Sequence, residues 1–375
     1  MTPDFERKVY CLFGLPFDAV DMDTASRSLR AAALGRTRCF LSTPNLNFVI
    51  AAQTDPAFRD SVLHSDLSVA DGMPLVWVAR LLRIPLPERV PGSALFERLR
   101  AATGRPIEVF FFGGADGVAE RACGRLNAAA SGLHCAGFDA PGFGSVESMS
   151  GDERIARINA SGAEFVVVSL GARKGQAWIE RNRARLQAPL VSHLGAVVNF
   201  VAGTVARAPH WMQRSGLEWL WRIKEEPGLW RRYAGDAIAF ARLLAMQVFP
   251  YAVHVRRQAP TPAQLAAARL ETRRRTQGLE IELHGAWAAG NVSPLRAVLA
   301  EAARGGTGVF IHLGNVTHID AAVVALLALL RAHCIRRGLA FRIEPGASIV
   351  RKVFRYCGAG YLLEAPPASF EEAAC

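Results

Sequence analysis

The sequence predicts an α/β protein in two parts. A domain built on a largely parallel sheet covers residues 1–255 and ends in a helical appendage at about 206–255. A linker follows at 256–277, and a small second α/β unit occupies 278–375. Three observations carry this reading. Short apolar runs alternate with helical stretches through about the first 200 residues. The texture changes at Ala206, where tryptophan and arginine interleave. A fresh strand and helix alternation then opens near residue 278. At 375 residues the chain exceeds one average domain. A composition of 51% hydrophobic and 21% charged residues is globular, not disordered.

In the first domain the strand candidates are Cys39–Leu41, Leu67–Val69, Glu108–Phe112, Phe165–Ser169 and Leu190–His193. Several run into glycine or small residues, as in FFGG, VVVSLGA and VSHLGA. Strand, glycine turn, then helix is the rhythm of a Rossmann-like parallel sheet, whose ligands sit at the carboxyl ends of the strands. The appendage carries Trp211, Trp219, Trp221 and Trp230 among Arg207, Arg214, Arg222, Lys224, Arg231, Arg232 and Arg242. Indoles and cations together suit an anionic membrane surface; a basic helical hairpin packed on the sheet is the alternative. Arg242 and Pro250 interrupt the longest apolar run, Ala237–Val255, and weigh against a spanning helix. The linker 256–277 is rich in Pro, Ala and Arg and is expected to end in a short helix. The second unit reads as strand Leu279–Leu283, helix Val292–Ala303, strand Gly308–Leu313, helix Ala321–Arg336, strand Phe341–Ile343 and helix Ala347–Tyr356.

The formal charge of +11 calls for an anionic partner, whether nucleic acid, acidic lipid or phosphorylated substrate. Seven scattered cysteines without a CxxC pair suggest reduced thiols, and neither a disulfide framework nor a zinc site. The N-terminus MTPDFERKVY lacks the apolar core of a signal peptide.

Four segments hold candidate chemistry. Ser42-Thr43-Pro44-Asn45-Leu46-Asn47 follows a strand and offers hydroxyl and amide groups at its end, or simply a helix cap. Ala70-Asp71-Gly72 places a carboxylate at another strand end, where it is either a base or a turn aspartate; Arg89-Val90-Pro91-Gly92 can bring a cation to the same edge. Gly113-Gly114-Ala115-Asp116-Gly117 is a glycine turn able to approach a phosphate, though it matches neither GxGxxG nor a P-loop. Arg207-Ala208-Pro209 and Gly216-Leu217-Glu218-Trp219 add arginines that suit a diphosphate.

Taken in order, these segments resemble the WecG/TagA/CpsF family of bacterial glycosyltransferases. That family carries TPN, ADG, RVxG, GG, LGxPKQExW and RAP…GLEW…R. The matches here are Thr43-Pro44-Asn45, Ala70-Asp71-Gly72, Arg89–Gly92, Gly113-Gly114, Leu170–Trp178 and Arg207–Arg222, within about residues 8–250. The resemblance implies transfer of a hexose-type sugar from a UDP-sugar to a polyprenyl-diphosphate-linked sugar at the cytoplasmic face of the inner membrane. The anomeric centre inverts, and neither cofactor nor metal is required. It makes Asp71 the general base. Thr43, Asn45, Arg89, Gly113, Gly114, Gln176 and Asn199 would contact substrate, and Arg207, Arg222 and Arg232 would neutralise the departing diphosphate. Departures occur where Arg173-Lys174-Gly175-Gln176 replaces Pro-Lys-Gln-Glu, where Gly228-Leu229-Trp230 follows Glu226-Pro227, and where Asn199-Phe200 replaces Asp-Phe. They bear first on the choice of sugar.

The second unit resembles a STAS domain through Val309–Leu313 and Ile319–Leu327. Ala321 stands where a phosphorylatable serine usually follows the aspartate. This implies protein docking or self-association without the phospho-switch. Two other function classes fit the residues less fully. One is a scaffold built on a degenerate transferase domain. The other is a nucleic-acid binder, for which charge is the sole argument.

Overall fold

A computed structural model describes residues 3–364 except 130, 210, 213–215, 217, 226, 227, 229 and 277, and only the backbone of Arg222. The chain opens with a hairpin, β1 (Val9–Leu12) and β2 (Leu15–Asp18), that the strand expectations above do not include. Its turn residues Phe13 and Gly14 both have positive φ, +55° and +81°. That is the backbone of a two-residue turn matching the strand twist. Phe-Gly is a weak turn signal, so the hairpin was hard to read.

The first domain continues with α1 (Met22–Leu34), β3 (Cys39–Ser42), α2 (Leu46–Thr54), α3 (Pro56–Leu63), β4 (Leu67–Ser68), α4 (Met73–Leu81) and α5 (Gly92–Arg100). Next come β5 (Ile107–Gly113), α6 (Val118–Asn127), β6 (Leu133–Asp139), α7 (Asp152–Ala160), β7 (Phe165–Ser169), α8 (Ala172–Asn182), β8 (Leu190–His193) and α9 (Val197–Ala202). Six strands form one parallel sheet in the order β4-β3-β8-β7-β5-β6. The expected strands agree within a residue or two at each end. The edge strand β6, with Gly137 and polar residues, went unrecognised. Helices α2, α3 and α4 cover one side of the sheet with the hairpin, and α1, α5, α6 and α9 cover another part.

The appendage contains α10 (Glu218–Glu225) and α11 (Trp230–Arg257), a continuous helix of 28 residues. Pro250 does not break it. A wider π-helical turn at Leu244–Val248 precedes the proline and absorbs its missing N–H.

The second unit begins earlier than expected. After the short helix α12 (Pro262–Ala266), β9 (Arg269–Arg275) pairs antiparallel with β10 (Gly278–Ala286), although this segment was read as linker. Four arginines, consistent with an exposed edge strand, disguise it. The unit is completed by α13 (Ser293–Gly305), β11 (Gly308–His318), α14 (Ala321–Arg336), β12 (Phe341–Glu344) and α15 (Ser348–Tyr356), with sheet order β12-β11-β10-β9. A second difference concerns thiols. Cys123 of α6 and Cys135 of β6 form a disulfide, whereas reduced cysteines were expected; the pairing joins neighbouring elements and needs no CxxC spacing.

One hydrophobic core runs through both units. It includes Phe13 and Phe17 of the hairpin region, Val248 and Tyr251 of α11, and Leu326, Leu330 and Phe354 of the second unit. Helix α14 is apolar on all sides and buried nearly throughout, because β1 and β2 cover the face its own sheet leaves free. At the seam the Gly14 amide donates to the Cys357 carbonyl at 2.6 Å, and the Tyr361 hydroxyl donates to the Gly14 carbonyl at 3.0 Å. Gly14 and Gly358 lie so close that a Cβ on Gly14 would sit 2.7 Å from the Gly358 oxygen.

Candidate active site

The carboxyl ends of β4, β3 and β8 lie side by side and lead into the segments Ala70–Gly72, Thr43–Asn45 and Gly195-Ala196. They floor a cleft of about 820 Å³ roofed by α10 and α11. Thr43, Asn45, Asp71, Arg89, Asn199, Arg207 and Arg232 all line it, as the sequence led us to expect. Their convergence follows from strand order, since the TPN and ADG segments leave adjacent parallel strands.

Local contacts hold these groups in place. Asn45 caps α2, its side-chain oxygen accepting from the Phe48 amide at 3.2 Å, and still faces the cleft. The Gly92 amide donates to Asp71 Oδ2 at 3.2 Å. Gly92 is tightly packed: a Cβ there would lie 2.5 Å from Leu194 Cδ2 and 3.2 Å from the Thr43 side chain, so a larger residue would force one of them to shift. Arg89 donates to Glu218 Oε2 at 2.8 Å, tying the floor to α10. Arg207 donates to the Ser93 carbonyl at 2.8 Å and lies over the Phe200 ring. Arg232 lies over Tyr233, whose ring neighbours Trp219.

Three expected contacts fall elsewhere. Gly113 and Gly114 do not line the cleft, because β8 and β7 separate β5 from β3. Their glycines serve geometry: both have positive φ, and a Cβ on Gly113 would lie 2.7 Å from the Ser169 oxygen. Gln176 is fully buried and donates to Ser42 Oγ at 3.0 Å, beneath the cleft and not within it. The Arg222 side chain and Arg214 lie outside the described residues.

Sequence reasoning missed Asp236 and His193. Asp236 lines the cleft from α11 and is hydrogen-bonded to the Asn47 side chain; burial raises its carboxyl above the usual range, against the pull of Arg232. His193 lines the cleft at the end of β8, its Nε2 2.6 Å from the Leu170 carbonyl. Burial lowers its pKa, so the ring is neutral and Nε2 carries the proton. A Cβ on Gly175 would lie 2.2 Å from this ring. The glycine of the altered Arg173–Gln176 segment therefore makes room for His193, a pairing visible only in three dimensions. Among the described residues one group, Glu271, Glu282 and His284, has spacing suited to a metal ion; it belongs to the second unit's sheet, and none of the three lines the cleft.

Residues 10–253 match the family described as "Glycosyl transferase WecG/TagA/CpsF family". The chain belongs to this family. Like its members, the protein is a glycosyltransferase. Residues 270–364 match "Mlab, STAS domain", consistent with β9 as part of the second unit. A relative from Bacillus spizizenii, named N-acetylglucosaminyldiphosphoundecaprenol N-acetyl-beta-D-mannosaminyltransferase, is 29% identical over 194 residues, covering 52% of this chain and 74% of its own. A Staphylococcus aureus protein of the same name is 24% identical over 246 residues, covering 64% and 91%. Among solved structures, the Bacillus cell fate determinant SpoIIAA in its phosphorylated form covers 28% of this chain and 96% of its own, at 21% identity and a TM-score of 0.23.

Proposed function

We propose that the cleft transfers a hexose or N-acetylhexosamine-type sugar from a UDP-sugar to a polyprenyl-diphosphate-linked sugar, with inversion and with Asp71 as general base. The observation that carries this reading is the single cleft in which Asp71 and Thr43, on adjacent strand ends, meet Arg89, Arg207 and Arg232. In one displacement, Asp71 takes the acceptor hydroxyl proton as that oxygen bonds to the anomeric carbon. The bond from that carbon to the diphosphate breaks, and its electron pair leaves on the β-phosphate oxygen of UDP. Arginines held by the roof neutralise that charge where it develops, a role in which a divalent ion is not required. The names of the relatives, which specify a diphosphoundecaprenol-linked N-acetylglucosamine, support a lipid-linked acceptor.

The roof also favours work at a membrane surface. Ile238, Met246, Phe249 and Val253 are exposed, and their spacing keeps them on one side of α11. Tyr251 and His254 on the same helix are buried in protein, which favours a helix lying on the bilayer over one crossing it. The altered Gly175-Gln176 pair sits beneath the cleft, so it gives little weight to the scaffold alternative.

The test is the product. Incubation with a UDP-sugar and a short-chain polyprenyl-diphosphate-linked N-acetylglucosamine should yield a lengthened glycolipid whose new linkage is inverted by NMR. Retained configuration, or hydrolysis of donor without transfer, would sink the mechanism.

A further inference from the structure

Helix α11 serves both parts of the molecule. Its first half overhangs the cleft, where Trp230, Arg232, Tyr233 and Asp236 face the floor, and no residue from Trp230 to Leu243 is buried. Its second half is anchored. Val248, Tyr251, Ala252 and His254 are all buried, and the side chains they meet come largely from the second unit. The Tyr251 phenol is hydrogen-bonded to the Cys357 side chain, and its ring lies 6.1 Å from that of Tyr356. The His254 ring stacks on His318 at 5.8 Å and 7°, with Tyr356 at 6.3 Å.

We infer that the second unit is an intramolecular clamp for the cleft: by gripping the Tyr251–His254 end of α11 it sets where Arg232 and Asp236 stand over the substrates. Tyr356 and His318 are then positioning residues, although neither lines the cleft. The lever is long. Asp236 and Tyr251 are about 22 Å apart along a helix at 1.5 Å per residue, so a tilt of about 5° at the grip moves the far end by about 2 Å. A misplacement of about 1 Å can cost about 10²-fold in rate. The overhanging half also lies against α2, with Asp236 hydrogen-bonded to the Asn47 side chain and Phe240 6.0 Å from the hairpin residue Phe13. On the helix side these contacts are made by residues that stay exposed or partly exposed, so they hold it less firmly than the buried grip at Tyr251–His254.

This inference rests on the transferase reading for its catalytic consequence but not for its mechanical one, so the experiment reads both. In the full chain, Tyr356→Ala should speed amide hydrogen exchange across 230–243 by about tenfold or more while β5 and β7 stay protected. It should also raise KM for the sugar-diphosphate acceptor and lower kcat together, whereas Tyr356→Phe, which keeps the ring, should match wild type in all three. If Tyr356→Ala does not fold, Tyr251→Phe, which keeps the ring and removes the hydroxyl's bonds to the Cys357 side chain and the Ala321 backbone, should show the same pattern more weakly. Unchanged exchange across 230–243 with unchanged kinetics would overturn the clamp, as would equal losses of protection in every strand of the first domain. Faster exchange confined to 230–243 in a protein that transfers no sugar would leave the clamp standing and overturn the transferase reading alone.

Discussion

Asp71 is held at a strand end by the Gly92 amide, and Thr43 is packed against the same glycine. These residues were legible because their motifs end strands that the sequence also shows. A base contributes about 10²- to 10⁴-fold to a proton-transfer step. Asp71→Asn should therefore slow transfer by about that much and leave UDP affinity near wild type in calorimetry; a loss of UDP binding of similar size would reassign the residue to the binding site. Gly92→Ala should cut turnover by displacing Thr43 or Leu194, with little change in nucleotide affinity. His193 and Asp236 could not be read in advance. The first occupies space left by Gly175 on a different element, and the second reaches the cleft only because α11 folds back over α2. Gly113 and Gly114 show the converse: their motif is real, but its purpose is the close approach of β5 to β7.

Among the elements, α11 departs furthest from its sequence signal. Proline inside a helix ordinarily breaks it, yet the helix runs unbroken through Pro250 because a π-helical turn accommodates the proline. Its exposed apolar residues give a direct test of membrane contact. Replacing Ile238 and Phe249 together by Asp should abolish flotation with anionic vesicles while the fold, and hence circular dichroism, is kept; undiminished flotation would remove α11 as the contact. Strand β9 was misread for the opposite reason: Arg273, Arg274 and Arg275 look like linker, but on an edge strand such charge is tolerated and guards against unwanted pairing.

For the molecule as a whole, the seam between the units is the feature the sequence concealed. The all-apolar run of α14 signals burial on every side but does not name the hairpin that covers it. Because one core spans both units, we expect a single calorimetric unfolding transition. Phe13→Ala should lower it as a unit, at a cost of about 3–5 kcal/mol; two separable transitions would show independent domains. The seam also sets a pH dependence. Burial lowers the pKa of His318 to about 4 and that of His254 below its ordinary value. His318 then binds more protons unfolded than folded between about pH 4 and 6.5, and His254 acts in the same direction below its ordinary value, so stability is present near neutrality and falls on acidification. His318→Gln should flatten this slope in pH-dependent denaturation, and an unchanged slope would place the sensitivity elsewhere.

The most direct test of the central claim is UDP release by the purified full chain, with a panel of UDP-hexoses and a short-chain polyprenyl-diphosphate-linked sugar, in EDTA, beside Asp71→Asn. The account predicts acceptor-dependent release with at least one donor that persists in EDTA and is lost in the variant. Release that needs a divalent ion, or that Asp71→Asn retains in full, would contradict it.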